Sequence, residues 1–154
     1  MCRLCWSLVV VLALSTTALV YLFVIRGTTI PASDGRAAIL LAPGERDLVL
    51  GEMRGFLVAL QQITQAVVDQ DQAAVVSAAR RVGAAAQQGV PSRLVGKLPI
   101  EFKRLGFDTH SRFDQLALDA EQFGDTAQVP GALALLMQNC VACHAAYRID
   151  LEPQ

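Results

Sequence analysis

The chain has 154 residues, a formal net charge of −1 and 53% hydrophobic residues. That length accommodates one domain with a small appendage. The near-zero charge, without any Lys/Arg run, excludes the basic footprint of a nucleic-acid-binding module. Aromatic residues supply only 6% of the chain, while Leu, Val and Ala dominate, which favours helices over sheet.

Leu4 to Ile25 is an uncharged, mostly apolar run bounded by Arg3 and Arg26. As a helix it measures about 33 Å, enough for the hydrocarbon core of a bilayer. Residues 1–26 are therefore read as an uncleaved membrane anchor. A cleaved signal peptide normally has a shorter apolar region, and the best cleavage-like site, Thr16-Thr17-Ala18, is still followed by the run from Leu19 to Ile25. Cys2 and Cys5 lie at this end and are read as free thiols. Residues 27–44 are expected to be a linker, because Pro31, Ser33, Asp34, Gly35, Pro43 and Gly44 break any regular pattern. The apolar cluster Ala37 to Ala42 within it is expected to pack on the domain or at the membrane surface.

Residues 45–154 read as a domain of four helices. The first is expected over Glu45 to Asp69, with Leu50, Met53, Leu57, Leu60, Thr64 and Val67 on its inward face. Asp71 suits the N-cap of the second, expected over Gln72 to Gln87 with Ala74, Ala78, Val82 and Ala85 inward. Residues 93–107 read as irregular or partly helical, since Pro99 and Gly106 interrupt them; Phe102, Leu105 and Phe107 must still be buried. The third helix is expected over Thr109 to Phe123, with Phe113, Leu116, Ala117, Ala120 and Phe123 on one side. The fourth is expected over Val129 to Asp150, with Leu133, Met137, Cys140, His144 and Tyr147 or Arg148 on one face. No strand-type alternation of useful length is visible. The carboxylates Glu52, Asp69, Asp71, Asp108, Asp114, Asp119 and Glu121 read as solvated polar-face residues, with no pair placed for general acid and base work.

The fourth helix carries Cys140-Val141-Ala142-Cys143-His144. The C-x-x-C-H pattern is that of c-type haem attachment. Two thiols slightly under one helical turn apart can each add to a vinyl group of the same porphyrin, and the adjoining His144 can turn its imidazole to the iron. A redox dithiol would sit at a strand-to-helix junction in a βαβ pattern, and zinc would want further Cys or His ligands nearby. The sequence offers neither.

With four helices and the motif Cys140 to Arg148 on the last, the chain resembles the class II cytochromes c, the group of cytochrome c prime and its low-spin relatives. The resemblance covers about residues 45–150, with Arg46 to Met53 on the first helix as a weaker carrier. It implies an all-α, antiparallel four-helix bundle holding one covalent haem c. Attachment outside the cytoplasmic membrane of a bacterium is implied too, so residues 27–154 would be periplasmic, with Cys2 and Cys5 at the cytoplasmic face. The anchor departs from the pattern, since most relatives are exported as soluble proteins.

Within this family, some members leave the distal iron position open beneath an apolar side chain and bind diatomic gases. Others supply a Met from the first helix and carry electrons. Met1 lies beyond the membrane segment and Met137 shares a helix with His144, which leaves Met53 as the expected distal ligand. The alternative keeps Met53 as core filling and makes Leu50 the distal cover. His110, the other histidine outside the motif, is a further distal candidate but reads first as a solvated or capping residue. The resemblance makes Tyr147 and Arg148 parts of the haem site, with Arg148 meeting a propionate or closing an ion pair; Arg46 is a second haem contact. The expected function is that of a membrane-anchored electron carrier rather than an enzyme, working with redox partner proteins that the sequence does not identify. A five-coordinate protein binding NO or CO, and a haem-bearing subunit of a larger membrane complex, are the alternatives; a homodimer is compatible with each.

Overall fold

The computed structural model describes residues 3–124 and 126–153; Cys2 lies outside them. The chain is mostly helical, at 74%, with six helices, the first of them apolar, and a small three-stranded sheet. Helix α1 (Arg3–Val20) continues through a π-helical turn, Tyr21–Arg26. The stretch Cys5–Arg26 is long and apolar enough to cross a membrane, and none of it is buried within the protein.

The expected linker is not one. Strand β1 (Thr29–Pro31) pairs antiparallel with β2 (Ala37–Leu41), which pairs in parallel with β3 (Tyr147–Leu151). Ala38, Ile39 and Leu41 are almost wholly buried, so the apolar cluster in this segment is a core strand. Its partner lies over a hundred residues away, beyond the reach of any local pattern. The expected fourth helix therefore ends early. Helix α6 (Val129–Ala146) stops at Tyr147, whose backbone turns extended to join β2.

Helix α2 (Pro43–Val68) opens on a proline, whose missing N–H costs nothing in a first turn. The Ala42 N–H donates to Glu45 Oε2 at 3.0 Å, closing that end. Helix α3 (Gln72–Arg80) begins at Asp71, whose carboxylate accepts from the Ala74 N–H at 2.9 Å, the N-cap expected from the sequence. It is shorter than expected; a single 3₁₀ turn, Ala84–Gln87, follows. The Ala84 N–H at its start donates to Asp114 at 2.8 Å. Any side chain at Gly83 would collide with that carboxylate.

Residues 93–107 are helical except at Leu98 and Pro99. Helix α4 (Ser92–Lys97) ends at Leu98, which is extended because a proline follows. Pro99 then leads into α5 (Ile100–Phe123), and Gly106 is carried inside it. Packing supplies the reason: Phe102, Thr109, His110, Phe113, Leu116, Ala117 and Ala120 form one continuous buried stripe, worth far more than the roughly 1 kcal/mol a mid-helix glycine costs. Phe107 and Phe123 are exposed, against expectation. Gly124 ends the helix in the left-handed conformation, at φ +66°.

Helices α2, α3, α5 and α6 close a ring, each beside the next and α6 back beside α2. The main core joins Phe56, Ile63, Val75, Phe113, Leu133 and Leu136. A second core, with Ile39, Leu41, Val49, Leu94, Leu98 and Phe102, lies under the sheet. The inward face of α2 is offset by one residue from the expected one: Val49, Phe56, Ala59, Ile63 and Ala66 are buried, and Leu57 is 67% exposed. On α3 the buried residues are Val75, Ala78 and Ala79, while Ala85 is exposed. Helix α6 is also long and apolar enough to cross a membrane, but Val129, Leu133 and Leu136 pack it into the ring.

Candidate functional site

The displaced stripe of α2 has its own place. Leu50, Met53, Leu57 and Leu60 line an open cavity of about 420 Å³, and Phe102, Leu105, Gly106 and Thr109 of α5 form its second wall. The third wall is the end of α6: Asn139, Cys140, Cys143 and His144. Leu50, Met53 and Leu60 are thus only partly buried, and Leu57 is exposed, because they face a space rather than a neighbouring helix. The cavity is almost wholly apolar, with Glu52, Arg54, Thr109 and Asn139 as its polar groups. The structure brings Cys140, Cys143, His144, Met53 and Leu50 together around one space.

Three local devices hold the α6 wall. Asn139 Nδ2 donates to Asp108 Oδ2 at 2.7 Å and to Thr109 Oγ1 at 3.3 Å, fixing α6 to α5 beside the Cys pair. Arg36 Nη1 donates to the carbonyls of His144 and Tyr147, at 3.3 Å each. A helix leaves its last carbonyls unsatisfied, and this guanidinium, sent from the β1–β2 turn, covers two of them. Asp34 holds Arg36 in turn at 2.7 Å, and the hydrogen bonds from Arg36 lower the Asp34 carboxyl to about 2. Strand β3 then pins the chain directly after the motif to β2.

Burial pushes the thiols of Cys140 and Cys143 upward, the latter to about 11. Thiol–disulfide exchange needs the thiolate, so this apolar wall is a poor setting for a redox dithiol. Among the described residues, no three His, Cys, Asp or Glu side chains are placed to share a metal ion.

Other expected site residues lie elsewhere. Tyr147 packs edge-on against Phe102, with ring centres 5.5 Å apart, and so supports the cavity wall from behind. Arg148 is in β3, where it pairs with Asp150 at 2.9 Å and Asp34 at 3.4 Å. Neither residue lines the cavity, and neither does Arg46. Met137 is 42% exposed, away from the space.

His110 is neither solvated nor a cap. It is 1% exposed in the middle of α5, with Nδ1 2.7 Å from the Val82 carbonyl and Nε2 3.0 Å from Glu52 Oε1. A carbonyl only accepts, so Nδ1 carries a hydrogen, and the Nε2–Glu52 contact needs a proton between its partners. Burial opposes the charged ring, but Glu52 and the Val82 carbonyl outweigh it and raise the pKa of His110. Glu52, expected on a solvated face, lines the cavity beside Met53 and holds this buried histidine. Sequence reading also missed Arg54, Phe102, Leu105, Thr109 and Asn139 as cavity residues. The 3- and 4-residue spacing of Phe102, Leu105, Thr109 and Phe113 was the available signal.

Comparison with protein families, characterised proteins and solved structures found no match to this chain.

Proposed function

We propose that the chain is a membrane-anchored monohaem cytochrome c of the class II kind, passing single electrons at the outer face of a bacterial cytoplasmic membrane. The observation that carries this reading is the convergence of Cys140, Cys143 and His144 on one wall of an apolar cavity with Met53 on another. The residues fit a covalent haem: two thiols for thioether bonds, an imidazole beside them, and a cavity without ionised groups on most of its surface. The haem would supply reversible one-electron chemistry at its iron. Cys140 and Cys143 would hold the haem covalently, and His144 and Met53 would be the residues offered to its iron. Leu50, Leu57, Leu60, Phe102 and Leu105 exclude water, and Arg54 gives the rim a cation for a propionate. In this reading α2, α3, α5 and α6 are the four-helix bundle, α1 with its π turn is the transmembrane helix, and the sheet is an addition that braces the proximal side.

The test is chemical. The intact protein, made in a host with haem-ligation machinery, should gain the mass of one haem and keep it under acid acetone. Cys140→Ala with Cys143→Ala should abolish attachment, and haem that extracts freely from the unmodified protein would end the proposal. The reduced spectrum should be low-spin and indifferent to CO, with Met53→Ala turning it high-spin and CO-reactive. A specific observation favours a second reading: Leu50 lies on the same wall as Met53. If the unmodified protein is already high-spin and binds CO, Leu50 is the distal cover and the protein binds diatomic gases.

A further inference from the structure

The span of α1 runs into the domain without a spacer. Gly27 has a positive φ of +62°, which favours glycine, and is wedged against the α4–α5 junction. A side chain there would lie 2.7 Å from both the Leu98 carbonyl carbon and the Pro99 nitrogen. The next residue, Thr28, donates its N–H to the Lys97 carbonyl at 2.8 Å. Lys97 is itself fixed between Glu45 and Glu152. Deeper in the span, Lys103 Nζ donates to the Val24 carbonyl at 3.1 Å. That ammonium satisfies one of the orphan carbonyls where the π turn ends, and its charge suits that end of the helix. A hydrogen bond thus ties α5 to the span two residues before its end at Arg26.

This geometry sets the height of α5 above a bilayer. Val24 lies about 3 Å inside the end of the span at Arg26. Phe107 follows Lys103 by one helical turn on the same face and is 52% exposed. Even if α5 rose straight from the bilayer, four residues would add only about 6 Å to the level of Lys103, whose side chain reaches at most about 6 Å from its own backbone to Val24. One headgroup layer is about 5–8 Å thick. Arg26 and Lys103 present cations at this level, while the nearby carboxylates are engaged: Glu101 with Arg104 at 3.2 Å and Asp108 with Arg112 at 2.5 Å.

We propose that the Lys103–Phe107 face of α5 is a membrane seat, with the Phe107 ring lying in the headgroup layer of a phospholipid bilayer and the joint at Gly27 holding the domain in one orientation on that surface. The proposal rests on the anchor reading of α1 and is independent of haem. Its consequence is that the cavity mouth faces one fixed direction relative to the bilayer instead of sweeping on a tether.

The experiment uses the full chain in vesicles of phosphatidylethanolamine and phosphatidylglycerol. A benzophenone amino acid replaces Phe107 or, as control, the exposed Phe123, about 24 Å along α5 and on its other side. After an alkaline wash and irradiation, mass spectrometry of the peptides counts lipid adducts. The expected result is several-fold more adduct at position 107 than at 123. A flexible Gly/Ser insert of about ten residues after Arg26, spanning about 17 Å, should bring 107 down to the control level. Equal yields at the two positions in membrane-retained protein, or a yield at 107 that ignores the insert, would overturn the seat while leaving the anchor standing. Release of the protein by alkali would remove anchor and seat together.

Discussion

Replacing Glu52 by Ala should destabilise the domain by roughly 1–3 kcal/mol, the cost of leaving one buried polar group without its partner. The orphan is Nε2 of His110, a side chain that is 1% exposed in the parent. For a chain of this size the loss corresponds to a fall in Tm of roughly 3–10 °C. Far-UV circular dichroism of the detergent-solubilised full chain would read it. Glu52→Gln should cost less, because the carboxamide can donate to a neutral Nε2 or accept from a protonated one. The pH dependence has a defined sign. Because the folded pKa of His110 is raised above 6.5, its contribution is complete below that value and is lost as pH rises through the folded pKa. The stability gap between parent and E52A should therefore be widest in mild acid and narrow in alkali. Coincident melting curves for parent and E52A across that range would refute the reasoning, since they would mean that the contact stabilises nothing.

Phe113→Ala should cost roughly 3–5 kcal/mol, because this side chain is wholly buried and stacked on Phe56 with ring centres 5.6 Å apart; denaturant unfolding checks it. Lys97→Met should cost roughly 1–3 kcal/mol, between the surface and buried limits for an ion pair, since it strands Glu45 and Glu152, whose oxygens lie 2.5 and 2.6 Å from Nζ. Lys97 above all holds the Glu45 pKa below its usual 4.5, so the parent should lose this stability as pH falls through the folded value. Urea unfolding at neutral and acid pH should show the gap between parent and K97M closing in acid.

Legibility varied along the chain for physical reasons. The start of α3 at Asp71 could be read because an N-cap is a local bond. The inner face of α5 is legible in large part, since Phe113, Leu116, Ala117 and Ala120 repeat at helical spacing and are buried; on α6 only Leu133 of the expected face is buried, with Val129 and Leu136 beside it and Met137 exposed. Pro99 does part α4 from α5, as a breaker should, whereas Gly106 misleads, because its local preference does not outweigh the Phe102–Phe113 stripe. The α2 stripe was found, but its meaning was not. Leu50, Met53, Leu57 and Leu60 repeat at core spacing, yet they surround an open space, and periodicity cannot separate a face that meets a helix from one that meets a cavity. His110 between Thr109 and Ser111 looked polar, and only the distant Val82 carbonyl and Glu52 make its burial tolerable.

By itself, the sequence determined what depends on neighbours along the chain: a mostly helical domain, an apolar helix at the start, and the Cys140–Cys143–His144 triplet on the last helix. Tertiary structure alone decided what depends on residues far apart. It folded residues 29–41 into a sheet, because β2 finds β3 more than a hundred residues later. Helix α6 ended at Ala146 for the same pairing. Met53 and Leu50 came to lie on the same cavity as the cysteines, because α2, α5 and α6 leave a space between them. The N-terminal apolar helix meets the domain where Gly27 approaches the backbone of residues 97–99, a contact between segments seventy residues apart that no local preference encodes.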